Sequence, residues 1–312
     1  MEPKMLAKEQ WQKVTKCPSC STSNTLYSGK LSEKSYQCGD EIIYAPQEEI
    51  EILQCSNCRL YYKNLVPSSS FLSELFSKQS KKIWSEPYDF VYESKFLEKL
   101  NNYQPFDILD IGASHGNLLK ALSNIEGRRS ALDIAQYPGI KPYIKGEFIQ
   151  NFIDDPQLIW SSEKYDVVTM FDIMEHLYRP QNVFQNLASL VKDNGYVLIE
   201  TGDADNYWPQ KYGIENWWYV KFVEHHIFWN TNALKKLAEE HGFTTIFCEI
   251  KKHKSRRAIS GYLQNLNQLL KIGLYVFNPK IYQKIAKFNE KSGIQPWSPF
   301  TKDHIFIIFQ KK

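Results

Sequence analysis

The chain has 312 residues, 43% of them hydrophobic, and its 38 Lys and Arg against 35 Asp and Glu leave a formal charge of +3. That length suits one large domain or two smaller ones, and 18 Phe and 19 Tyr can fill a sizeable core. The balanced charge gives no general reason to expect a polyanionic partner. No stretch reaches the ~18 apolar residues of a membrane helix. Met1 to Lys16 lacks an apolar secretory core, so a cytoplasmic location is expected.

Five of the six cysteines lie in the first 58 residues. Cys17-Pro18-Ser19-Cys20 and Cys55-Ser56-Asn57-Cys58 form a C-x2-C pair with 34 residues between. In a cytoplasmic chain this spacing favours four thiolates on one zinc over disulfides. Strand-like pieces at Thr25–Tyr27, Glu41–Tyr44 and Glu51–Leu53 bring the two knuckles together as a hairpin. A segment of about 60 residues buries little apolar surface, so a metal supplies missing folding energy. Four thiolates leave no open position for water, which makes the zinc structural. Cys38 reads as a free thiol in a loop and Cys248 as a core residue.

Pro67-Ser68-Ser69-Ser70 breaks the pattern and marks a boundary. It divides the chain into a zinc-binding, ribbon-like domain over 1–66, a helical linker over 67–104 and a main domain over 105–312. Phe71 to Leu100 reads as helical, interrupted near Pro87. Its Tyr88, Tyr92 and Phe96 recur at helical spacing, as a packing stripe or as a roof over a ligand.

An apolar run ending in an acid, Phe106 to Asp110, is followed by a glycine-bearing turn and an amphipathic segment from Asn117. A dinucleotide fingerprint wants glycine at its first, third and sixth positions. Here Gly112, Ser114 and Asn117 stand there, and only the first fits. The turn instead reads D-x-G-x-x-x-G, from Asp110, Gly112 and Gly116. Arg129 to Asp133 is a second strand ending in an acid, 23 positions beyond Asp110. An acid there accepts hydrogen bonds from ribose hydroxyls. A strand-like core in Gly146–Asp154 follows, then an apolar strand in Tyr165–Leu177. A helix over Pro180–Val191, a turn over Lys192–Gly195 and a strand over Tyr196–Thr201 come next. Leu234–His241 is helical and ends at Gly242, before strands at Phe243–Ile250 and His304–Phe309. Strands alternating with helices imply an α/β fold with a mostly parallel sheet covered on both faces.

These motifs resemble those of the class I S-adenosylmethionine-dependent methyltransferases, over roughly residues 105–250 plus the last strand. The resemblance implies a Rossmann-like sheet of seven strands with helices on both faces, and S-adenosylmethionine as cofactor. It assigns the methionyl side to Asp110, Gly112, Ala113 and Gly116, and the ribose to Asp133 with Ile134. Asn151 or Asp154 meets the adenine amine, Phe152 the ring, and Phe171 and Asp172 close the crevice. The cysteine knuckles with Leu60–Pro67 resemble the zinc-binding domain that precedes some sugar and natural-product methyltransferases. Deoxysugar C-methyltransferases carry a further C-terminal domain for which this chain is too short. That favours O- or N-methylation of a small-molecule acceptor: a sugar, a nucleotide sugar or a natural-product intermediate.

Two insertions read as substrate-selecting. Residues 203–229 hold nine aromatic rings at the carboxyl edge of the sheet, to stack on an acceptor or to plug the core. Residues 251–300, with helices over Ser260–Phe277 and Lys280–Lys291, form a lid or a homodimer contact. Lys251, Lys252, Lys254, Arg256 and Arg257 with His253 make a basic cluster, for a phosphate or as a solvated loop. A hydroxyl acceptor needs a base. His225 and His226 are the leading candidates. In an extended segment they face opposite ways, and His225 is preferred. Asp203 is a second base or an anchor, and His176 belongs to the cofactor shell or the framework. An RNA-modifying enzyme gripping nucleic acid with its zinc domain is the alternative. Phe171-Asp172-Ile173-Met174 argues against it, because enzymes acting on exocyclic base amines carry a polar-Pro-Pro-aromatic motif there. A non-catalytic scaffold is the third reading, disfavoured by the intact Asp110, Gly112, Gly116 and Asp133.

Overall fold

The structure, a computed structural model, describes residues 4–5, 10–33, 35–38, 41–77, 88–159, 163–253, 269–286 and 301–312. The expected basic residues Lys254, Arg256 and Arg257 and much of the 251–300 insertion lie outside them.

The main sheet has seven strands. In chain order they are β1 (Ile108–Ile111), β2 (Arg129–Asp133), β3 (Phe148–Gln150), β4 (Tyr165–Phe171), β5 (Val191–Gly202), β6 (Phe243–Lys252) and β7 (Lys302–Lys311). Their order across the sheet is β3-β2-β1-β4-β5-β7-β6, with β7 antiparallel to both neighbours. β1 is buried at every position and β4 at all but one, as apolar runs covered on both faces should be. The order reverses direction at β1–β4, and that switch point places a crevice at the carboxyl edge.

The helices are α1 (Ser69–Ser77), α2 (Val91–Leu100), α3 (Asn117–Ala121), α4 (Pro180–Leu190), α5 (Tyr207–Tyr212), α6 (Thr231–Glu240) and α7 (Pro279–Ala286), of which α2 and α3 pack in one core cluster with the sheet and α4 and α6 in another. Pro180 opens α4 at its first turn, where a missing N–H costs nothing. The Asn230 side chain caps α6 by accepting from Ala233 N. The expected linker helix is two helices, α1 and α2, with 78–87 outside the described residues. The turn expected at Lys192–Gly195 is absorbed into β5 as a left-handed step at Asn194 (φ 63°). There the register with β4 slips between Tyr165 and Val167. Residues 269–277 are helical, within the expected span.

The N-terminal region contributes a four-stranded sheet: Ile227–Phe228, Tyr61–Lys63, Glu51–Cys55 and Thr25–Lys30, in that order. Its edge strand comes from the 203–229 insertion, with Ile227 opposite Tyr62 and Phe228 opposite Tyr61. Lys63 is fully buried and its ammonium donates to the carbonyls of Lys221 and Phe222. Cys17, Cys55 and Cys58 share one apolar core with β4, α4 and α6. The knuckle region and the insertion therefore share a sheet, and the knuckle cysteines share an apolar core with the main domain. Among the described residues no helix is long and apolar enough to cross a membrane.

Candidate active site and cysteine cluster

The first turn is built by two glycines in the left-handed region, Gly112 (φ 72°) and Gly116 (φ 74°). A Cβ at Gly116 would come 2.6 Å from Ile140 Cγ1, so side chains are excluded there by strain and by contact. Gly112 N donates to Leu132 O at 2.7 Å and Ser114 N to Asp133 Oδ2 at 2.8 Å, which docks the turn on the end of β2. Asp133 Oδ1 accepts from Ala135 N at 3.1 Å. Burial raises the Asp133 pKa, and these backbone N–H groups oppose it. These donors leave lone pairs on the ionised group free. Two adjacent acceptors at a strand's carboxyl end suit the vicinal diol of a ribose.

Asn151 lies directly beyond, its N–H on Asp133 O at 3.2 Å and its side chain on Phe152 N at 2.7 Å. Ile134 packs with the cluster around α1. Asp154 serves the framework instead, because its Oδ2 accepts from Tyr178 N and Arg179 N and fixes the start of α4. Asp110 is buried and accepts from Thr169 Oγ1 at 2.8 Å. Burial pushes its pKa to about 7. Ala113 and Phe171 are buried in the core beneath α2, where Phe171 stacks on Phe90 with ring centroids 5.8 Å apart. The donor and acceptor set around Asp133 fits the ribose of S-adenosylmethionine.

Farther along the edge stand the candidate bases. His176 Nδ1 donates to Glu224 O at 3.0 Å and His225 Nδ1 to Tyr219 O at 2.6 Å. The two rings meet edge to face at 4.7 Å. Both converge on the fully buried Glu175, which accepts from Thr201 Oγ1 at 2.8 Å and from the Tyr219 hydroxyl. Because a carbonyl can only accept, His225 carries its proton on Nδ1 and its Nε2 is the basic atom when the ring is neutral. Burial holds the His225 and His226 pKa values well below the ordinary range, so both are neutral near pH 7. His226 faces the other way. Its Nε2 donates to Val223 O at 3.0 Å and its ring packs on Tyr178. Asp203, raised to about 6 by burial, accepts from Asp205 N and shapes the loop leading to α5.

A group that sequence reasoning missed ties α2 to the sheet. Lys251 Nζ lies 2.7 Å from Glu93 Oε1 and 2.6 Å from Glu200 Oε2, with both carboxylates buried. Burial works against the Lys251 charge, but the two carboxylates outweigh it and raise its pKa. The three residues come from α2, β5 and β6, and no local spacing links them.

In the cysteine cluster Cys17 and Cys58 sulfurs are 3.6 Å apart, and those of Cys20 and Cys55 3.5 Å. All four Sγ atoms lie within 4.8 Å of one another. The two knuckles are copies. Ser21 N donates to Cys17 O and Arg59 N to Cys55 O, at 2.8 and 2.9 Å. Cys17 N reaches Thr22 O and Cys55 N reaches Leu60 O, each at 2.9 Å. Ser21 (φ 59°) and Arg59 (φ 60°) take the same left-handed step after the second cysteine. A tetrahedron of zinc–sulfur bonds of ~2.3 Å has edges of about 3.8 Å, close to these spacings. Cys38 ends the strand Ser35–Cys38, opposite Glu41, and does not lie in the expected loop; its side chain lies outside the described residues.

The fold and the turn define a methyltransferase. Residues 69–246 match the family model described as "Methyltransferase domain", which is more than half of the chain, and the protein belongs to that family. Its relatives include the ubiquinone biosynthesis O-methyltransferases of Vibrio atlanticus and Vibrio cholerae. Identity is 29% over 113 residues for the first (34% of this chain, 47% of the relative). It is 29% over 112 residues for the second (34% and 45%). The chain thus spans about half the length of the curated relatives it matches. Among solved structures, the 1,6-didemethyltoxoflavin-N1-methyltransferase of Burkholderia thailandensis, bound to its substrate and S-adenosylhomocysteine, shares the fold. Its TM-score is 0.51 at 10% identity, covering 90% of this chain and all of that one.

Proposed function

We propose that the protein is an S-adenosylmethionine-dependent O-methyltransferase acting on a hydroxyl of a small-molecule acceptor. The observation that carries this reading is Asp133 at the end of β2, its carboxylate held by Ser114 N and Ala135 N beside the Gly112 turn. The cofactor, when bound, supplies a methyl group on a sulfonium, already activated for in-line displacement. The chain's own residues bind, align and manage one proton. Asp133 accepts from the ribose hydroxyls. Asn151 and Phe152 line the adenine side. The methionyl arm lies along the backbone bend from Gly112 to Gly116, whose left-handed turns bring the main chain close to it. Alignment of acceptor and donor supplies most of the acceleration.

The acceptor proton goes to His225 Nε2. Its Nδ1–H bond to Tyr219 O sets the tautomer, and the Glu175 carboxylate nearby stabilises the imidazolium that forms. The buried aromatic insertion keeps water away from the reacting atoms. The relatives named O-methyltransferases support oxygen as the acceptor atom. The paired knuckles support a structural zinc held by Cys17, Cys20, Cys55 and Cys58. It would fix the strand Tyr61–Lys63 on which the insertion is seated.

Transfer of a labelled methyl group to a panel of phenolic and sugar acceptors tests the reading. His225→Ala is expected to lower turnover about 100-fold or more while leaving donor affinity unchanged. Turnover equal to wild type would remove His225 as the base. Absence of measurable donor binding would remove the enzymatic reading altogether.

A further inference from the structure

Asp172, His253 and His304 meet at the carboxyl edge of the sheet, away from the cysteine cluster. Asp172 follows β4, His253 follows β6 and His304 lies in β7. Asp172 Oδ1 is 3.7 Å from His304 Nε2 and 3.9 Å from His253 Nδ1. The imidazole centroids are 4.1 Å apart. One ligand atom from each residue lies within 4.8 Å of the other two.

His304 is fully buried, yet its Nε2 has no hydrogen-bond partner among the described residues. A buried imidazole nitrogen without a partner is costly unless something else satisfies it. Its other nitrogen is held with care. Nδ1 donates to Asp303 Oδ1 at 2.9 Å, and Asp303 Oδ2 accepts from Trp218 Nε1 at 2.9 Å. A carboxylate behind one nitrogen, fixing the tautomer so that the other projects as a lone pair, is the support that metal-bound histidines use. The Trp218 ring stacks over His304 and screens the group from solvent.

We propose that Asp172, His253 and His304 form a binding site for one divalent transition-metal ion of the iron–cobalt–zinc class. Two imidazoles and one carboxylate on one side of an ion are the ligand set such metals accept, with positions left open for water or an acceptor oxygen. Magnesium and calcium prefer all-oxygen shells and are disfavoured. To meet bonds of ~2.0–2.1 Å the Asp172–imidazole spacings need to close by roughly 0.4–1 Å, which rotation of the part-exposed His253 and Asp172 side chains allows. The site stands independently of methyl transfer. The alternative is an imidazolium at His304 shared between Asp303 and Asp172, with no metal.

The test is calorimetric titration of the full chain with Co2+ after its cysteine cluster has been saturated with zinc. One further Co2+ per chain is expected, undiminished by excess Mg2+. Asp303→Asn, which keeps the side-chain shape, should weaken cobalt binding by about 10–100-fold. His253→Ala should weaken it at least as much. Zinc content and circular dichroism of both variants should match wild type. No cobalt uptake by the wild-type chain overturns the proposal in favour of the buried ion pair. So does uptake that neither variant changes, because the ion then sits elsewhere. If His253→Ala fails to fold, the wild-type stoichiometry and Asp303→Asn decide.

Discussion

Ile173 lies across the bare Cα of Gly112. A Cβ added at Gly112 would overlap its Cδ1 and sit 2.6 Å from its Cγ1. Gly112 also holds φ at 72°, where an L side chain is strained. The two effects add in Gly112→Ala, and a loss of about 1–3 kcal/mol is expected, read by urea unfolding. Ile173→Ala in the same chain should recover the overlap part and leave the backbone part. The double-mutant cycle is therefore expected to show a favourable coupling of about 1 kcal/mol. Strict additivity would mean that Ile173 does not rest on the glycine.

Asp133 both anchors the turn and faces the proposed ribose. Asp133→Ala should weaken S-adenosylhomocysteine binding at least tenfold, the equivalent of about 1.4 kcal/mol. Asp133→Asn keeps one acceptor oxygen for Ser114 N, so it should retain the fold and lie between the two in affinity. Calorimetry on all three chains checks the order, and equal affinities would refute the assignment.

Much of the architecture is legible in the sequence because it is encoded locally. Arg129–Asp133 is a strand with the expected ends, the helix expected over Leu234–His241 is there but starts three residues earlier behind an Asn230 cap, and the two C-x2-C knuckles meet with matching turns. The opposite facing of His225 and His226 also follows from their being neighbours, although they lie in irregular chain between a turn at 222–224 and the strand Ile227–Phe228. What stays hidden depends on long-range pairing. Ile227–Phe228 is a strand of two residues whose partner lies 165 positions away, too short to show a period. Lys251 has the sequence context of a solvated basic loop. Only the fold shows its ammonium between Glu93 and Glu200. His304 is, by sequence, simply the start of a strand, because its partners Asp303 and Asp172 acquire meaning only when β4 and β7 share one edge.

Removing the proposed zinc should unfold more than the N-terminal region, because Cys17, Cys55 and Cys58 pack in the same core as α4 and α6. A chelator is expected to lower the midpoint of the whole thermal transition and not to create a separate early one. Cys58→Ala should do the same and reduce zinc by one per chain. Unchanged zinc content in Cys58→Ala would show that the cluster is not the binding site.

Asp110 gives a pH signature of defined sign. Burial raises its folded pKa to about 7, above the 3.8 of an ordinary aspartate. The folded state then holds the proton more tightly than the unfolded one. Its stabilising effect is complete below about pH 4 and is lost as pH rises through 7, at a cost on the order of 4 kcal/mol. Asn keeps an oxygen for Thr169 Oγ1 and cannot ionise. Asp110→Asn should therefore be the more stable chain at pH 8, with the advantage vanishing near pH 4. Urea midpoints at the two pH values check this, and a constant difference would exclude Asp110 as the titrating group.

Lys251 is held between two buried carboxylates, and its loss is the severest single change expected. In Lys251→Met the apolar stem is kept while Glu93 and Glu200 are left facing each other without a cation. Leaving buried charge uncompensated costs about 3–5 kcal/mol. Burial already raises Glu200 to about 7 against the pull of Lys251, so without the lysine it rises further. The variant should accordingly be least stable at alkaline pH and should regain stability as pH falls and Glu200 takes up a proton. Adding Glu93→Gln and Glu200→Gln removes the charges at source. That triple variant should recover most of the loss at pH 8 and show a flatter stability profile between pH 5 and pH 8. If it stays as unstable as Lys251→Met, the lysine acts through its packing on Tyr92 and Phe306, over whose rings its ammonium also lies.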